Sequence, residues 1–245
     1  MLKCDNLIAF EKEEHKYIVK ETGQELLSVS TIIDLFKEPF DPDGSILIRK
    51  AKKLGVKPEE LRAQWDKKRD DACDRGTLFH DSVEHLIKHK KILDNEYKDI
   101  VLKFKKKKPK GKLQSEVLLY SIEDGIAGTT DLVAWQNDNT FSILDFKTNE
   151  KLTSYNPHGK KLLPPLSHLF EHKLNLYTLQ LNLYMYLIEK QGFWCNELHI
   201  IYVNHKTRDI EFIKVPQMYK EVKLILEHFK KHRQEIMTIR NDLKF

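Results

Sequence analysis

The stretch of sequence that decides the fold runs from Gly128 to Asn149 and reads GTTDLVAWQNDNTFSILDFKTN. β-Branched and aromatic residues fill two segments of this region, 126–135 and 140–147, and polar turn formers at 137–139 separate them. A third segment of the same kind, 113–120, precedes the turn dipeptide Asp124-Gly125. The pattern predicts three neighbouring strands that form an antiparallel meander.

The last of these strands carries an acidic and a basic residue on one face. Residues i and i+2 of a strand share a face, so Asp145 and Lys147 project to one side while Leu144 and Phe146 face the other layer. Asp131, on the preceding strand, is expected near Asp145. Two close carboxylates repel each other unless a cation lies between them, and carboxylate oxygens suit Mg²⁺ or Mn²⁺. A structural ion pair between Asp145 and Lys147 is the alternative, but the second carboxylate favours a metal site.

The rest of the chain predicts helices around this sheet, together with further strands. In chain order we predict a hairpin over 7–10 and 17–20, a helix over 31–36 capped by Ser28 or Ser30, helical structure over 46–90 interrupted near 55–58 and near Gly76, a helix over 95–105, a helix over 171–190, strands over 197–204 and 209–214, and a helix from Pro216 to about Arg240. The fold class is therefore α/β, with a mixed central β-sheet flanked by helices. We divide the chain into an amino-terminal lead-in, residues 1–45, and a main domain, residues 46–245.

Two predicted helices and one strand carry further candidate residues. In RGTLFHDSVEH, a helix that begins at Gly76-Thr77 puts His80 and Glu84 on one face, where His80 could supply a nitrogen ligand. Gln180 and Tyr184 lie one turn apart in an apolar helix, and a buried glutamine needs a hydrogen-bond partner. Glu116 is the acidic candidate from the strands. Each also has a simpler interpretation: a surface histidine, a glutamine on a solvent-facing stripe, and an exposed glutamate.

Taken together, these residues resemble the motifs of the PD-(D/E)XK nuclease superfamily, specifically its RecB-like branch. The flanking stretches HKYIVKETGQELLSVSTII and GKKLLPPLSHLFEHKLNLYTLQLNLY resemble small phage-type exonucleases of this branch. The motifs G-T-x-x-H, E, G-x-x-D, D-x-K and Q-x-x-x-Y stand here, in order, as Gly76-Thr77-Leu78-Phe79-His80, Glu116, Gly128 to Asp131, Asp145-Phe146-Lys147 and Gln180 to Tyr184. Each motif is weak alone, but five in order are fairly specific. The resemblance implies a restriction-endonuclease-like core.

The resemblance also implies a role for each matching residue. A Mg²⁺ or Mn²⁺ ion would be held by His80, Asp131, Asp145 and the carbonyl of Phe146. Lys147 would orient or activate the attacking water. The remaining catalytic candidates are Gln180 and Tyr184, which would flank the metal and the scissile phosphate, and Glu116. Thr148, directly after the predicted catalytic strand, is expected to contact DNA.

Composition limits the classes of partner and cofactor. The chain has 42 Lys and Arg against 37 Asp and Glu, a formal net charge of +5, which fits an anionic partner without requiring one. The three cysteines, Cys4, Cys73 and Cys195, are too few for an iron–sulfur cluster, which needs four. No apolar run reaches the roughly eighteen residues of a membrane span, so we expect a cytoplasmic protein without a membrane partner.

A run of lysines ahead of Glu116 is the most basic part of the sequence. Such a run could bind along a phosphate backbone, although most lysine runs form solvated loops. The members that we predict to bind DNA are Lys105, Lys106, Lys107 and Lys108.

Together with this resemblance, the patterns predict a metal-dependent DNA exonuclease that acts from free ends and favours single-stranded DNA, in a phage or its bacterial host cell. The chain has no GxxxxGK[ST] motif, so it would act alone or with a separate helicase, recombination or replication protein. Two alternatives stay open. One is a structure-specific endonuclease acting on DNA or RNA with the same site, and the other is a catalytically inactive nuclease-fold subunit that binds DNA.

Overall fold

The computed structural model describes residues 7–11, 14, 16–39, 43–148, 152, 156 and 159–242, with backbone alone described for 239–242. Within these residues the chain forms eight strands and six helices. The strands are β1 (Ile8–Glu11), β2 (Lys16–Val19), β3 (Glu25–Ser28), β4 (Lys112–Ser121), β5 (Ile126–Trp135), β6 (Thr140–Lys147), β7 (Trp194–Asn204) and β8 (Asp209–Val215). The helices are α1 (Val29–Asp34), α2 (Ser45–Leu54), α3 (Pro58–His89), α4 (Lys98–Lys107), α5 (Lys173–Glu189) and α6 (Tyr219–Asp242).

The eight strands form one mixed sheet with β5 at its centre. β4 pairs antiparallel with β5 along its whole length, from Ser121 opposite Ile126 to Lys112 opposite Trp135. The other edge of β5 is shared: β3 pairs parallel with residues 126–127, and β6 pairs antiparallel with residues 132–135. Residues 128–131 therefore lie between the two partners on that edge. β7 follows β6 in parallel, and β8 follows β7 antiparallel.

Helices cover both faces of the sheet. Alternate residues of β6 enter different cores: Phe141 and Ile143 pack with residues of α1, α5 and α6, whereas Leu144 and Phe146 pack with residues of α3 and α4. This alternation is the period of two that a pleated strand imposes. The predicted α/β class, with a mixed sheet flanked by helices, is confirmed. Among the described residues, none of the helices combines the length and the apolar content that a membrane span requires.

Most predicted elements are confirmed, with shifts of a few residues at their ends. The hairpin forms from β1 and β2, the meander from β4, β5 and β6, and Ser28 caps α1 by accepting a hydrogen bond from the Thr31 N–H at 3.0 Å. The helical region breaks at Gly55, whose φ of 68° ends α2, and restarts with Pro58 in the first turn of α3. The four-residue strand β3 was not predicted. It has only two residues paired with β5, too short a pattern to separate from a loop.

The predicted interruption at Gly76 is wrong. α3 is 32 residues long and continues through Gly76, so His80 lies in the second half of a long helix and not in a first turn. A glycine inside a helix costs about 1 kcal/mol relative to alanine, which is less than the burial of the apolar side chains that follow. Phe79, Val83 and Leu86 are each at most 4% exposed in the core on this face of the sheet.

Candidate active site

Three polar side chains from three elements lie close together. They are His80 of α3, Glu116 of β4 and Asp131 of β5, and one ligand atom from each lies within 4.8 Å of the others. Nδ1 of His80 is 3.5 Å from Oδ1 of Asp131. One imidazole nitrogen and two carboxylates thus form a candidate metal-binding group.

Glu116 reaches this group through an unusual backbone conformation. Ser115 pairs with Leu132 and Val117 with Thr130, so the register sets Glu116 opposite Asp131. The φ of Glu116 is 50°, in the left-handed region that residues other than glycine seldom adopt. Such outliers concentrate at functional sites, where the surrounding structure holds them.

The two carboxylates of the group affect each other. Although much of Glu116 is exposed, the loss of solvent around its carboxyl group, followed by the charge of Asp131, raises its pKa to about 7. His80 acts in the opposite direction. A divalent cation between the two carboxylates would remove this repulsion.

Asp131 is oriented by the neighbouring strand. The β5–β6 ladder ends at Leu132 opposite Leu144, and the backbone N–H of Phe146 then donates a 2.6 Å hydrogen bond to Oδ2 of Asp131. The ring of Phe146 lies edge-on to Phe79 and to His80, with centroids 5.4 and 5.7 Å apart. Phe146 of β6 therefore contacts two ligand candidates, Asp131 through its N–H and His80 through its ring. That its carbonyl is a metal ligand stays a prediction.

Asp145 and Lys147 form the buried pair that their spacing predicted. Oδ2 of Asp145 lies 2.5 Å from Nζ of Lys147, and the two side chains are 3% and 16% exposed. Burial raises the pKa of Asp145 to about 6, against the charge of Lys147 and with added repulsion from Asp131. Burial alone would lower the pKa of Lys147, but Asp145 and Asp131 outweigh it and the pKa lies above its usual value. Lys147 is therefore an ammonium at neutral pH.

Asp145 is not part of the three-residue group, but it lies beside it. The register of β5 and β6 sets Asp145 opposite Asp131, one position beyond the last pair. The charges of Asp131 and His80 both act on its pKa. The residues of the predicted metal site therefore lie close together. Glu116 belongs to the ligand group, whereas Asp145, which the resemblance implied as a metal ligand, pairs with Lys147.

Tyr177, which sequence analysis missed, holds Lys147 from the other side. Nζ of Lys147 lies 4.6 Å from the centroid of the Tyr177 ring, a cation–π contact. Tyr177 precedes Gln180 and Tyr184 on α5 by three and seven residues, so all three share one helix face. That spacing was the signal that could have identified it.

Gln180 and Tyr184 lie at the same end of the sheet. Nε2 of Gln180 donates a 3.0 Å hydrogen bond to the hydroxyl of Tyr184, which satisfies the glutamine as expected. Burial, followed by the charge of Asp145, raises the pKa of Tyr184 well above its usual value, so its hydroxyl stays protonated. The ring needs Gly128, because a Cβ there would lie 2.7 Å from its Cε1 atom.

His80 and Glu116 of this group line a cleft of about 880 Å³, which we call the acidic cleft. Its polar lining consists chiefly of His80, Asp81, Glu84, Glu116 and Gln180. Phe10 of β1 and Tyr17 of β2 form part of its wall, and their rings stack with centroids 4.7 Å apart. Sequence analysis predicted the hairpin but did not use these two aromatics, which are direct cross-strand partners.

The lysine run lies away from this cleft, at the carboxyl end of α4. Its predicted DNA-binding members are Lys105, Lys106, Lys107 and Lys108, and none of the four is among the residues that line the acidic cleft. Nζ of Lys107 donates a 3.4 Å hydrogen bond to the carbonyl of Ile210 near the start of β8. Lys112, which follows the run, is four residues and about 13 Å from Glu116 along β4. The structure thus does not bring Lys105, Lys106, Lys107 and Lys108 to the site, and that they bind DNA stays a prediction.

Thr148, the other predicted DNA contact, lies closer to the site. Its Oγ1 is 3.2 Å from where a Cβ on Gly76 would be, so the end of β6 approaches α3 one turn before His80. Its contact with DNA also stays a prediction.

The sequence matches no family model, and a search of curated proteins finds no match. Among solved structures, the fold is similar to the protein SSO0001, with a TM-score of 0.40 and 14% identity over 88% of this chain and 76% of that chain. It is also similar to a protein from Eubacterium rectale named a putative exonuclease, with a TM-score of 0.45 and 14% identity over 99% and 87% of the two chains.

Proposed function

We propose that the protein is a nuclease that hydrolyses DNA phosphodiester bonds with the help of Mg²⁺ or Mn²⁺. The observation that supports this most is the position of the buried Asp145–Lys147 pair beside the group of His80, Glu116 and Asp131. Phosphodiester hydrolysis needs positive charge near the phosphoryl oxygens and a positioned nucleophile, and this site offers groups for both.

The donor set fits a hard divalent cation. Two carboxylates and one imidazole surround the space between His80, Glu116 and Asp131, and carboxylate oxygens suit Mg²⁺ and Mn²⁺. These three residues would hold the ion, with the carboxylate of Asp145 next to it. When bound, it would supply the Lewis acidity that offsets charge on the phosphoryl oxygens.

Lys147 would position groups and not remove a proton. Its pKa is raised, so it remains an ammonium that can donate hydrogen bonds to the attacking water or to a phosphate oxygen. Asp145 and the Tyr177 ring hold that ammonium in place. Of the two roles that the family resemblance implied for Lys147, we therefore propose the orienting one.

Tyr184 and Gln180 would complete the site on the α5 side. Tyr184 keeps its proton and accepts a hydrogen bond from Gln180, so its own O–H can donate to a phosphate oxygen. We place this donor beside the scissile phosphate because Tyr184 and Glu116 line the same cleft.

We further propose that the enzyme acts from a free end and favours an unpaired strand. The stacked Phe10 and Tyr17 rings in the wall of the acidic cleft support this, because unpaired bases stack on aromatic side chains whatever their sequence. A covalently closed single-stranded circle should then resist digestion under conditions that degrade its linear form. A circle cut as fast as the linear strand favours the endonuclease alternative.

Asp131→Asn tests the proposal. Asparagine keeps an oxygen that can accept the Phe146 N–H but removes the charge, so hydrolysis of labelled linear DNA in Mg²⁺ or Mn²⁺ should fall at least about 10²-fold. Asp138→Asn, in the exposed β5–β6 turn, is the matched control and should keep full activity. Hydrolysis that persists in Asp131→Asn, or in excess chelator, contradicts the proposal. Binding of DNA without hydrolysis in the unaltered protein favours the inactive subunit.

A further inference from the structure

A second cleft, of about 630 Å³, is lined in part by α3, and we call it the basic cleft. Its described lining contains five cationic side chains and no carboxylate: Lys68, Arg69, Arg75, Lys173 and Lys206. Trp65 and Thr148 also line it. The cations come from α3, from the first residue of α5 and from the β7–β8 turn, so only the tertiary fold collects them.

The cations of the basic cleft differ in their ion-pair partners. Arg69 is engaged by Asp66 and Asp70, whereas Arg75 and Lys173 form no ion pair within the described part of the chain. Both are exposed. An exposed guanidinium and ammonium that face one concave surface are suited to an anionic ligand, and arginine in particular to the oxygens of a phosphate.

The basic cleft meets the acidic cleft at one contact. Gly76 lines the acidic cleft and Thr148 lines the basic cleft, and a Cβ on Gly76 would lie only 3.2 Å from Oγ1 of Thr148. Arg75 directly precedes Gly76, and Thr148 directly follows Lys147. A strand lying in the basic cleft would therefore lead to the Asp145–Lys147 pair.

The charges of the two clefts are opposite. Asp81, Glu84 and Glu116 line the acidic cleft, and its described lining includes no lysine or arginine. These carboxylates repel a polyanion, so the affinity for a nucleic acid must come from elsewhere on the surface. The adjoining basic cleft carries the required charge.

We propose that the basic cleft binds backbone phosphates of the substrate strand next to the scissile bond, with Arg75 and Lys173 as the principal contacts. This inference rests on the proposed function for the nature of the strand. It assigns strand binding to α3, α5 and the β7–β8 turn, away from the lysine run of α4.

The test is the salt dependence of binding by Arg75→Gln combined with Lys173→Gln. The probe is a fluorescently labelled oligodeoxythymidylate in excess chelator, so that no hydrolysis occurs. Loss of two phosphate contacts should reduce the slope of log K against log salt by about 1.4 and raise the Kd at least about 10-fold. In Mg²⁺ or Mn²⁺ the KM should rise while kcat changes little, because neither residue touches the reacting atoms.

Lys230→Gln combined with Lys231→Gln is the matched control. These exposed lysines of α6 are not among the described residues that line either cleft, and their loss changes the net charge by the same amount. Arg75→Lys combined with Lys173→Arg keeps both charges and should retain most of the affinity. If the glutamine variant fails to fold, Lys206→Gln, which lies in a separate turn, should show a slope reduced by about 0.7.

An unchanged slope and Kd in the Arg75 and Lys173 variant overturn the inference, and so does an equal loss in the α6 control. Because binding is measured without a metal, this outcome does not depend on whether the protein hydrolyses DNA. Wild-type protein that binds through the basic cleft but does not hydrolyse DNA would refute the nuclease and leave the cleft assignment in place.

Discussion

The backbone N–H of Phe146 donates a 2.6 Å hydrogen bond to Oδ2 of Asp131 at the point where β5 and β6 separate. The last ladder pair is Leu132 with Leu144, so a side-chain oxygen replaces the strand carbonyl that would otherwise accept this N–H. Asp131 is thereby oriented by the residue between Asp145 and Lys147. A movement of β6 would therefore shift the ion pair and alter the hydrogen bond that orients Asp131.

Lys147→Ala should reduce turnover by about 10²-fold or more, because it removes the ammonium that positions the nucleophile. It should also destabilise the fold by about 3 kcal/mol, since Asp145 is left buried without its partner. Adding Asp145→Asn should recover part of the stability and none of the activity. Denaturant unfolding and steady-state kinetics measure the two effects. Full activity per folded molecule in Lys147→Ala would show that the Asp145–Lys147 pair has only a structural role.

Gly128→Ala should destabilise the protein by about 1–3 kcal/mol and lower its activity. The new Cβ would lie 2.7 Å from Cε1 of Tyr184 and force the ring away from Gln180. In a Tyr184→Leu background the ring is gone, so the same substitution should cost much less. A double-mutant cycle by denaturant unfolding measures this coupling. Additive effects would show that the contact does not limit the packing of α5 on β5.

Asp124→Asn should lower stability by about 1–2 kcal/mol at neutral pH and by little in acid. Burial alone raises the pKa of Asp124, but hydrogen bonds from Lys190, Ser121 and Tyr186 outweigh it and lower the pKa below its usual value. A lowered folded-state pKa contributes stability above the unfolded value, near 4, and this is lost as the pH falls through the folded value. Urea unfolding between pH 7 and pH 3 should therefore show the two proteins converging. A constant difference across that range would contradict the assignment.

Phe10→Ala should weaken binding of an unpaired strand more than binding of duplex DNA. Phe10 is 40% exposed and stacked on the buried Tyr17, so a base can add to the stack. Loss of one stacked base corresponds to about 1–3 kcal/mol of binding free energy. Leu7→Ala, which removes an exposed apolar side chain next to β1, is the control and should leave the preference unchanged. Equal weakening for both forms of DNA would place the stack outside the strand path.

Much of the site could be predicted because its central part is local in sequence. The period of two in β6 put Asp145 and Lys147 on one face, and the short turn after β5 brought Asp131 beside them. The i, i+4 spacing on α5 likewise brought Gln180 to Tyr184. These relationships follow from the geometry of one strand, one hairpin and one helix, so the residue pattern was sufficient.

The tertiary structure alone decided which residues complete the site. Glu116 belongs to the ligand group and its backbone adopts a φ of 50°, which no alternation of residue types reveals. α3 continues through Gly76 because its apolar face is buried, and that burial depends on β5, β6 and α4. Arg75, Lys173 and Lys206 share one cleft although they come from distant parts of the chain. Local patterns determine elements and faces, whereas contacts between distant elements depend on how their buried faces pack, which residue spacing does not encode.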